Sequence, residues 1–137
     1  MKKIKHIMLV DDDDTTIYVT RRFIEKAGIA EKVTSKKSGQ EALAYFSDFE
    51  KYKSDPENEI DLIFLDINMP VMDGFEFLEE FEKLTFEPAL KKVKIIMLTS
   101  SVFHIDRFKS QSFPNVISYI SKPVSIDSLK DIVERYF

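Results

Sequence analysis

The acidic residues that could do chemistry in this chain follow directly after apolar runs. Asp66 ends the run Leu62-Ile63-Phe64-Leu65, and Asp11 and Asp12 follow the run Ile7-Met8-Leu9-Val10. Wholly apolar runs of this length are typical of strands that are buried on both faces of a parallel sheet. Because open α/β sheets place their ligand sites at the carboxyl ends of the strands, we expect these three carboxylates to meet at one edge.

A hydroxyl and an ammonium group follow two further apolar runs. Thr99 comes after Ile95-Ile96-Met97-Leu98, and Lys122 comes shortly after Val116-Ile117-Ser118-Tyr119-Ile120. A carboxylate can act as a nucleophile that forms an acyl phosphate. An ammonium group and a hydroxyl can neutralise and hydrogen-bond the phosphoryl oxygens. Together these groups have the chemistry of a phosphoryl-transfer site.

Segments of helical period alternate with the strands and must hold these groups in place. A short, weak second strand is predicted near Val33-Thr34-Ser35, and a polar loop from Tyr52 to Glu59. The β-α order, repeated five times, predicts an α/β fold: a doubly wound, five-stranded parallel sheet with helices on both faces. Ser38, Asp73 and Ser125 can each cap the helix that they precede. The five predicted helices are 15–27, 38–49, 73–84, a poorly periodic one between Phe103 and Ser112, and 125–136.

Length and composition exclude several classes of protein. The 137 residues suit a single domain, 1–137, and with 44% apolar residues the chain is not disordered. A net charge of −4 argues against nucleic acid as the main partner. No stretch reaches the ~18 apolar residues of a membrane span. The absence of Cys rules out thiolate chemistry and suits a reducing compartment, so we expect a cytoplasmic protein without a membrane association.

Taken together, the motifs at the strand ends resemble the receiver domain of two-component response regulators. The resemblance covers the whole chain and implies a flavodoxin-like sheet of order 2-1-3-4-5 with five helices. Each motif alone is common, but their appearance in this order, each at a strand end, is highly specific. The motifs are Val10-Asp11-Asp12, Leu65-Asp66-Ile67-Asn68-Met69-Pro70, Asp73-Gly74, Thr99-Ser100 and Lys122-Pro123.

The resemblance implies a role for each acidic residue. Asp66 would be the phosphoacceptor. Asp12 and Asp66 would bind Mg²⁺ directly, Asp11 would act through water, and the backbone carbonyl of Asn68 would supply another ligand. Mg²⁺ suits such a set because it prefers oxygen ligands and keeps several waters. Asp13 and Asp14 have a simpler interpretation, as a solvated turn that caps a helix.

The resemblance also assigns the remaining polar groups. Lys122 and Thr99 would each contact a phosphoryl oxygen, and the Lys122–Pro123 bond would be cis. Thr99 and Tyr119 would form a switch that moves the face built by the fourth helix, the fifth strand and the last helix. His6 is expected on the first strand, away from any ligand cluster.

The implied protein is a stand-alone receiver that has no output domain. It would take its phosphoryl group from a sensor histidine kinase or a histidine phosphotransfer protein. It would signal by contact with a downstream protein or by onward phosphorelay, as a monomer or a phosphorylation-dependent dimer. It would not be an enzyme beyond its own aspartyl phosphorylation and dephosphorylation.

Two other functions use the same residues. Asp11-Asp12-Asp13-Asp14-Thr15 also fits the nucleophile motif of haloacid-dehalogenase-type phosphatases, with Asp11 as nucleophile and Thr99 and Lys122 as later motifs. That family needs a further acidic pair after another strand, and it leaves Asp66 without a role. The second alternative is a binding module of receiver fold that works without phosphorylation, against which the intact set of polar groups argues.

Overall fold

Five parallel strands form one sheet in the order β2-β1-β3-β4-β5, which confirms the predicted topology. The computed structural model describes residues 3–100 and 113–137. Neighbouring strands pair over four to six registered positions, and the register of β4 with β5 shifts between Ile95 and Ile96. The strands are β1 (Ile4–Val10), β2 (Ala30–Lys36), β3 (Leu62–Asp66), β4 (Lys94–Thr99) and β5 (Val116–Ser121).

Six α-helices lie within the described ranges, whereas five were predicted for the whole chain. Two of the six are short: Pro88 opens one of them at a first-turn position, where its missing N–H is not needed. The side chains of Ser38, Asp73 and Ser125 accept the capping bonds that the sequence predicts. The predicted helix between Phe103 and Ser112 lies outside the described residues. The helices are α1 (Asp14–Ala27), α2 (Gly39–Ser47), α3 (Phe49–Lys53), α4 (Gly74–Glu82), α5 (Pro88–Lys91) and α6 (Ile126–Tyr136).

The core lies on both faces of the sheet, which explains the continuous apolar runs. On one face, α2 and α4 pack Phe46, Phe77 and Phe81 against the strands. On the other face, α1 and α6 pack side chains such as Ile24 and Leu129. Successive residues of β1, β3 and β4 point to opposite faces of the sheet. Because both faces are covered by helices, the residues on each face must be apolar. None of the helices in these described parts of the chain is long and apolar enough to cross a membrane.

Two local predictions need correction. β2 was predicted to be short but spans seven residues; it is an edge strand of polar composition that pairs with β1 over most of its length. Its residues are half-buried or exposed, so it lacks the apolar signal. The predicted polar loop from Tyr52 to Glu59 holds the end of α3 and a 3₁₀ helix at Pro56–Asn58, and Tyr52 itself is buried.

Candidate functional site

Asp11 and Asp66 lie side by side at the carboxyl end of the sheet. Val10 of β1 pairs with Leu65 of β3. The residues that follow them, Asp11 and Asp66, therefore lie next to each other at this edge of the sheet. Both carboxylates are buried, with 3% of Asp11 and 4% of Asp66 exposed. The sequence prediction that these acids meet at one edge is therefore confirmed by their position.

Lys122 binds both buried carboxylates. Its Nζ lies 2.9 Å from Asp11 Oδ2 and 3.1 Å from Asp66 Oδ1. The lysine follows β5, where its backbone N–H donates to the Thr99 carbonyl at 2.8 Å. The Lys122–Pro123 peptide bond is cis, as predicted. The strand ends of β1, β3 and β5 thus bring one ammonium group between two carboxylates.

The electrostatics of this trio favour a bound cation. Burial, and then the charge of Asp11, raises the pKa of the Asp66 carboxyl, and the bonds from Lys122 and the Asn68 amide offset this only in part. Burial tends to lower the pKa of Lys122, but its bonds to Asp11 and Asp66 outweigh that effect and the net pKa is raised. The lysine therefore stays charged, and the site still carries excess negative charge.

Asp12 completes an acidic cluster that fits a hard divalent cation. One carboxylate oxygen from each of Asp11, Asp12 and Asp66 lies within 4.8 Å of the others, and Asp12 is exposed. The Asn68 amide donates to Asp66 Oδ1 at 3.2 Å, so the chain turns directly after Asp66. An all-oxygen donor set with one side open to solvent is the kind of site that Mg²⁺ occupies while keeping several waters.

The two neighbouring acids belong to the start of α1. Asp13 is the N-cap residue: its carboxylate accepts from the Thr15 amide at 3.0 Å and from Thr16 Oγ1 at 2.9 Å. The bond from Thr16 lowers the pKa of Asp13. Asp14 pairs with Lys37 at 2.7 Å on the surface. The simple reading of these two acids as a capping turn is therefore confirmed.

Thr99 and Tyr119 lie on the adjacent strands. Thr99 ends β4, one residue after the Leu98 that pairs with Asp66, and is buried at 4% exposure. Tyr119 pairs with Met97 in β5, and its half-buried ring packs against the core on the α2 and α4 side. Both residues lie where the sequence analysis places them; their switching role stays a prediction.

His6 lies near the opposite end of β1, as expected. Its ring nitrogens lie 3.1 Å from the Glu59 carbonyl and 2.6 Å from Thr34 Oγ1. Burial, followed by the charge of Lys32, lowers the pKa of the ring. His6 is thus a buried, hydrogen-bonded part of the scaffold, away from the acidic cluster.

Gly74, the glycine of the Asp73-Gly74 motif, packs closely against the backbone of the site. A Cβ on Gly74 would lie 2.8 Å from the Asp66 carbonyl oxygen and 2.9 Å from Ile67 Cα. The start of α4 therefore presses against the backbone that carries Asp66. The Asp-Gly pair before a helix gave a local signal for the turn, but the close approach depends on the tertiary packing of α4 on β3.

Comparison with known proteins identifies the family. The sequence profile of the response regulator receiver domain matches residues 7–134. The chain belongs to that family. The matched range includes Asp11, Asp12, Asp66, Thr99 and Lys122, and the family assignment sets aside the phosphatase alternative.

Individual relatives agree with this assignment. The hybrid signal transduction histidine kinase L of Dictyostelium discoideum is 31% identical over 98% of this chain, which spans 7% of that kinase. A two-component response regulator from Cytophaga hutchinsonii has a similar structure, with a TM-score of 0.82 and 28% identity over 97% of this chain and 96% of that one.

A third relative supports the fold. It is the receiver domain of the sensor histidine kinase PA1611 of Pseudomonas aeruginosa, with a magnesium ion coordinated in its active-site cleft. Its TM-score is 0.72, with 23% identity over 96% of each chain.

Proposed function

We propose that this receiver domain accepts a phosphoryl group on Asp66 from a phosphohistidine of a sensor histidine kinase or a histidine phosphotransfer protein. The observation that carries the proposal is the contact set of Asp66, a buried carboxylate beside one lysine and two further acids. The kinase relative supports the choice of donor. Because such a donor is made from ATP, we expect the reaction to take place in the cytoplasm.

In the proposed reaction, a carboxylate oxygen of Asp66 attacks the phosphorus atom of the donor phosphohistidine. The new O–P bond forms as the P–N bond breaks, and the electron pair of that bond stays on the imidazole nitrogen. Water later cleaves the acyl phosphate, which restores the carboxylate and releases inorganic phosphate. The domain would turn over only its own phosphoryl group, so we propose that it is not an enzyme for other substrates.

The remaining residues would position and neutralise the phosphoryl group. A bound Mg²⁺ would supply positive charge against the phosphoryl oxygens. Asp12 and Asp66 would hold it directly, Asp11 through water, and Asn68 through its backbone carbonyl. Lys122 would exchange its bond to Asp66 for one to a phosphoryl oxygen.

The hydroxyl of Thr99 would donate to another phosphoryl oxygen, and this bond would link phosphorylation to β5 and Tyr119. The output would be contact with a downstream protein or onward phosphotransfer, from a monomer or a phosphorylation-dependent dimer.

Labelling with acetyl phosphate tests the phosphoacceptor. We expect Mg²⁺-dependent phosphorylation of the unaltered protein, none of Asp66→Asn, and loss of labelling when EDTA removes the metal. Asp13→Asn is the matched control, because Asn also caps a helix well and Asp13 lies outside the acidic cluster. Labelling that persisted in Asp66→Asn would overturn the proposal.

A further inference from the structure

The loop between β3 and α4, residues 67–73, is held closed at its two ends. The Gly74 amide donates to the Ile67 carbonyl at 2.9 Å, and the Ile67 amide donates to the Leu98 carbonyl at 3.1 Å. The loop contains Asn68, whose amide contacts Asp66 and whose carbonyl is the proposed cation ligand. The shape of loop 67–73 therefore determines where that carbonyl lies.

A strained turn lies in the middle of loop 67–73. The Met72 amide donates to the Pro70 carbonyl at 2.8 Å, which closes a three-residue turn around Val71 at φ 69°. Among residues 3–100 and 113–137, Val71 alone of the non-glycine residues has a positive φ. Such turns are rare and strained, and β-branched residues are poorly suited to them. Val71 is 89% exposed, so the packing of its side chain does not hold the turn.

The neighbouring residue, Met72, is anchored against α2. Met72 is half-buried and packs against the core. A Cβ on Gly39, the first residue of α2, would lie 2.7 Å from Met72 Sδ and 3.1 Å from its Cγ. Gly39 does not have a positive φ, so its backbone conformation does not call for glycine. Alanine here would favour the helix more than glycine does, but its Cβ would have to displace the Met72 thioether.

We propose that Met72 and Gly39 form a positioning contact that holds loop 67–73, and with it the Asn68 carbonyl, in the shape that binds a divalent cation. The inference rests on the proposed function, because the cation site is the cluster of Asp11, Asp12 and Asp66. Neither Met72 nor Gly39 is a ligand. They act by fixing the backbone of loop 67–73, as residues that orient metal ligands without binding the metal do.

The substitution Gly39→Ala separates this role from ordinary stability. The added methyl group must displace the Met72 thioether, while alanine itself suits the first turn of α2 better than glycine. We expect the affinity for MgCl₂, measured by isothermal titration calorimetry, to fall about tenfold, the effect typical of residues that orient metal ligands. The midpoint of urea unfolding without metal should stay the same or rise. A merely structural contact would not weaken Mg²⁺ binding without weakening the fold.

The companion variant Met72→Ala removes the side chain that contacts Gly39. It tests the positioning contact even if Gly39→Ala does not fold. It should weaken Mg²⁺ binding to a similar extent, and the double variant should be no weaker than the weaker single one, because both changes break the same contact. Gln40→Ala changes the exposed residue next to Gly39 in the first turn of α2, and this control should bind Mg²⁺ like the unaltered protein.

Two outcomes would contradict these expectations in different ways. Unchanged Mg²⁺ affinity in both Gly39→Ala and Met72→Ala, with normal binding by the unaltered protein, would overturn the positioning contact alone. Failure of the unaltered protein to bind Mg²⁺ would overturn the proposed cation site and this inference with it.

Discussion

Lys122 allows two carboxylates to share one small, buried space. Without it, Asp11 and Asp66 would repel each other where little water can screen their charges. The lysine side chain is 23% exposed, whereas each carboxylate side chain is 5% exposed, so the ammonium group enters the site from its rim. A divalent cation would relieve the same repulsion, so Lys122 and Mg²⁺ should partly substitute for each other.

We therefore expect Lys122→Ala to reduce the free energy of unfolding by about 3 kcal/mol without metal, the lower end of the range for breaking a buried ion pair. Saturating MgCl₂ should restore more stability to this variant than to the unaltered protein, because the cation then binds otherwise unpaired carboxylates. Urea unfolding with and without MgCl₂ measures both effects.

The control for this experiment is Lys83→Ala. Lys83 pairs with Glu80 on the surface of the protein, and the loss of such a pair costs about 0.5 kcal/mol or less. An equal loss of stability in Lys122→Ala with and without MgCl₂ would show that lysine and cation do not act on the same charges.

At the scale of elements, apolar runs predicted the central strands well and the edge strand poorly. β1, β3 and β4 are covered on both faces, so burial alone makes their sequences recognisable. β2 lies at an edge and is half-buried or exposed along its length, so backbone pairing with β1 defines it instead. In α1 the buried residues are Thr20, Ile24 and Ala27, and Phe23 packs against the same core.

The polar residues of the site were predictable because they follow strand ends, where topology alone brings them together. The shape of loop 67–73 was not predictable in the same way. It depends on contacts between distant segments, such as Met72 with Gly39, that leave no periodic or local pattern. The two short helices α3 and α5 were missed because elements of five residues or fewer have too little periodicity to be recognised.

The junction of β3 and α4 allows a paired glycine test. Gly74→Ala should reduce stability by about 1–3 kcal/mol through overpacking, and it should slow acetyl phosphate labelling because the Asp66 backbone must move. Gly28→Ala is the matched control: it is at φ +66° with nothing within 4 Å of its Cβ. This control should cost about 1 kcal/mol of backbone strain and leave labelling unchanged. Normal labelling of Gly74→Ala would show that the close approach does not position Asp66.

At the scale of the whole molecule, the site is joined to β5 by the backbone. The Lys122 amide donates to the Thr99 carbonyl, and Thr99 pairs with Ser121 just beyond Tyr119. Our hypothesis is that phosphorylation shifts a two-state equilibrium of the face built by the fourth predicted helix, the fifth strand and the last helix. A swing from 1:99 to 99:1 needs about 5.5 kcal/mol of differential stabilisation. Charge-assisted bonds of about 1.5–3 kcal/mol each, from Thr99 and Lys122, account for most of it.

The phosphoryl mimic beryllofluoride with Mg²⁺ tests this coupling. In the unaltered protein we expect it to shift the NMR signals of β5 backbone amides as well as those beside Asp66. In Thr99→Ala the signals near Asp66 should still shift, whereas those around Tyr119 should shift much less, because the hydroxyl that links them is gone. Equal shifts in β5 of both proteins would contradict a role of Thr99 in the switch.

The most direct test of the central claim is to locate the acyl phosphate. Protein treated with acetyl phosphate and Mg²⁺ is reduced with borohydride, which converts a phosphorylated aspartate to homoserine, and the modified residue is mapped by mass spectrometry. We predict homoserine at position 66. Homoserine at position 11 instead would contradict the account, because it would make Asp11 the nucleophile.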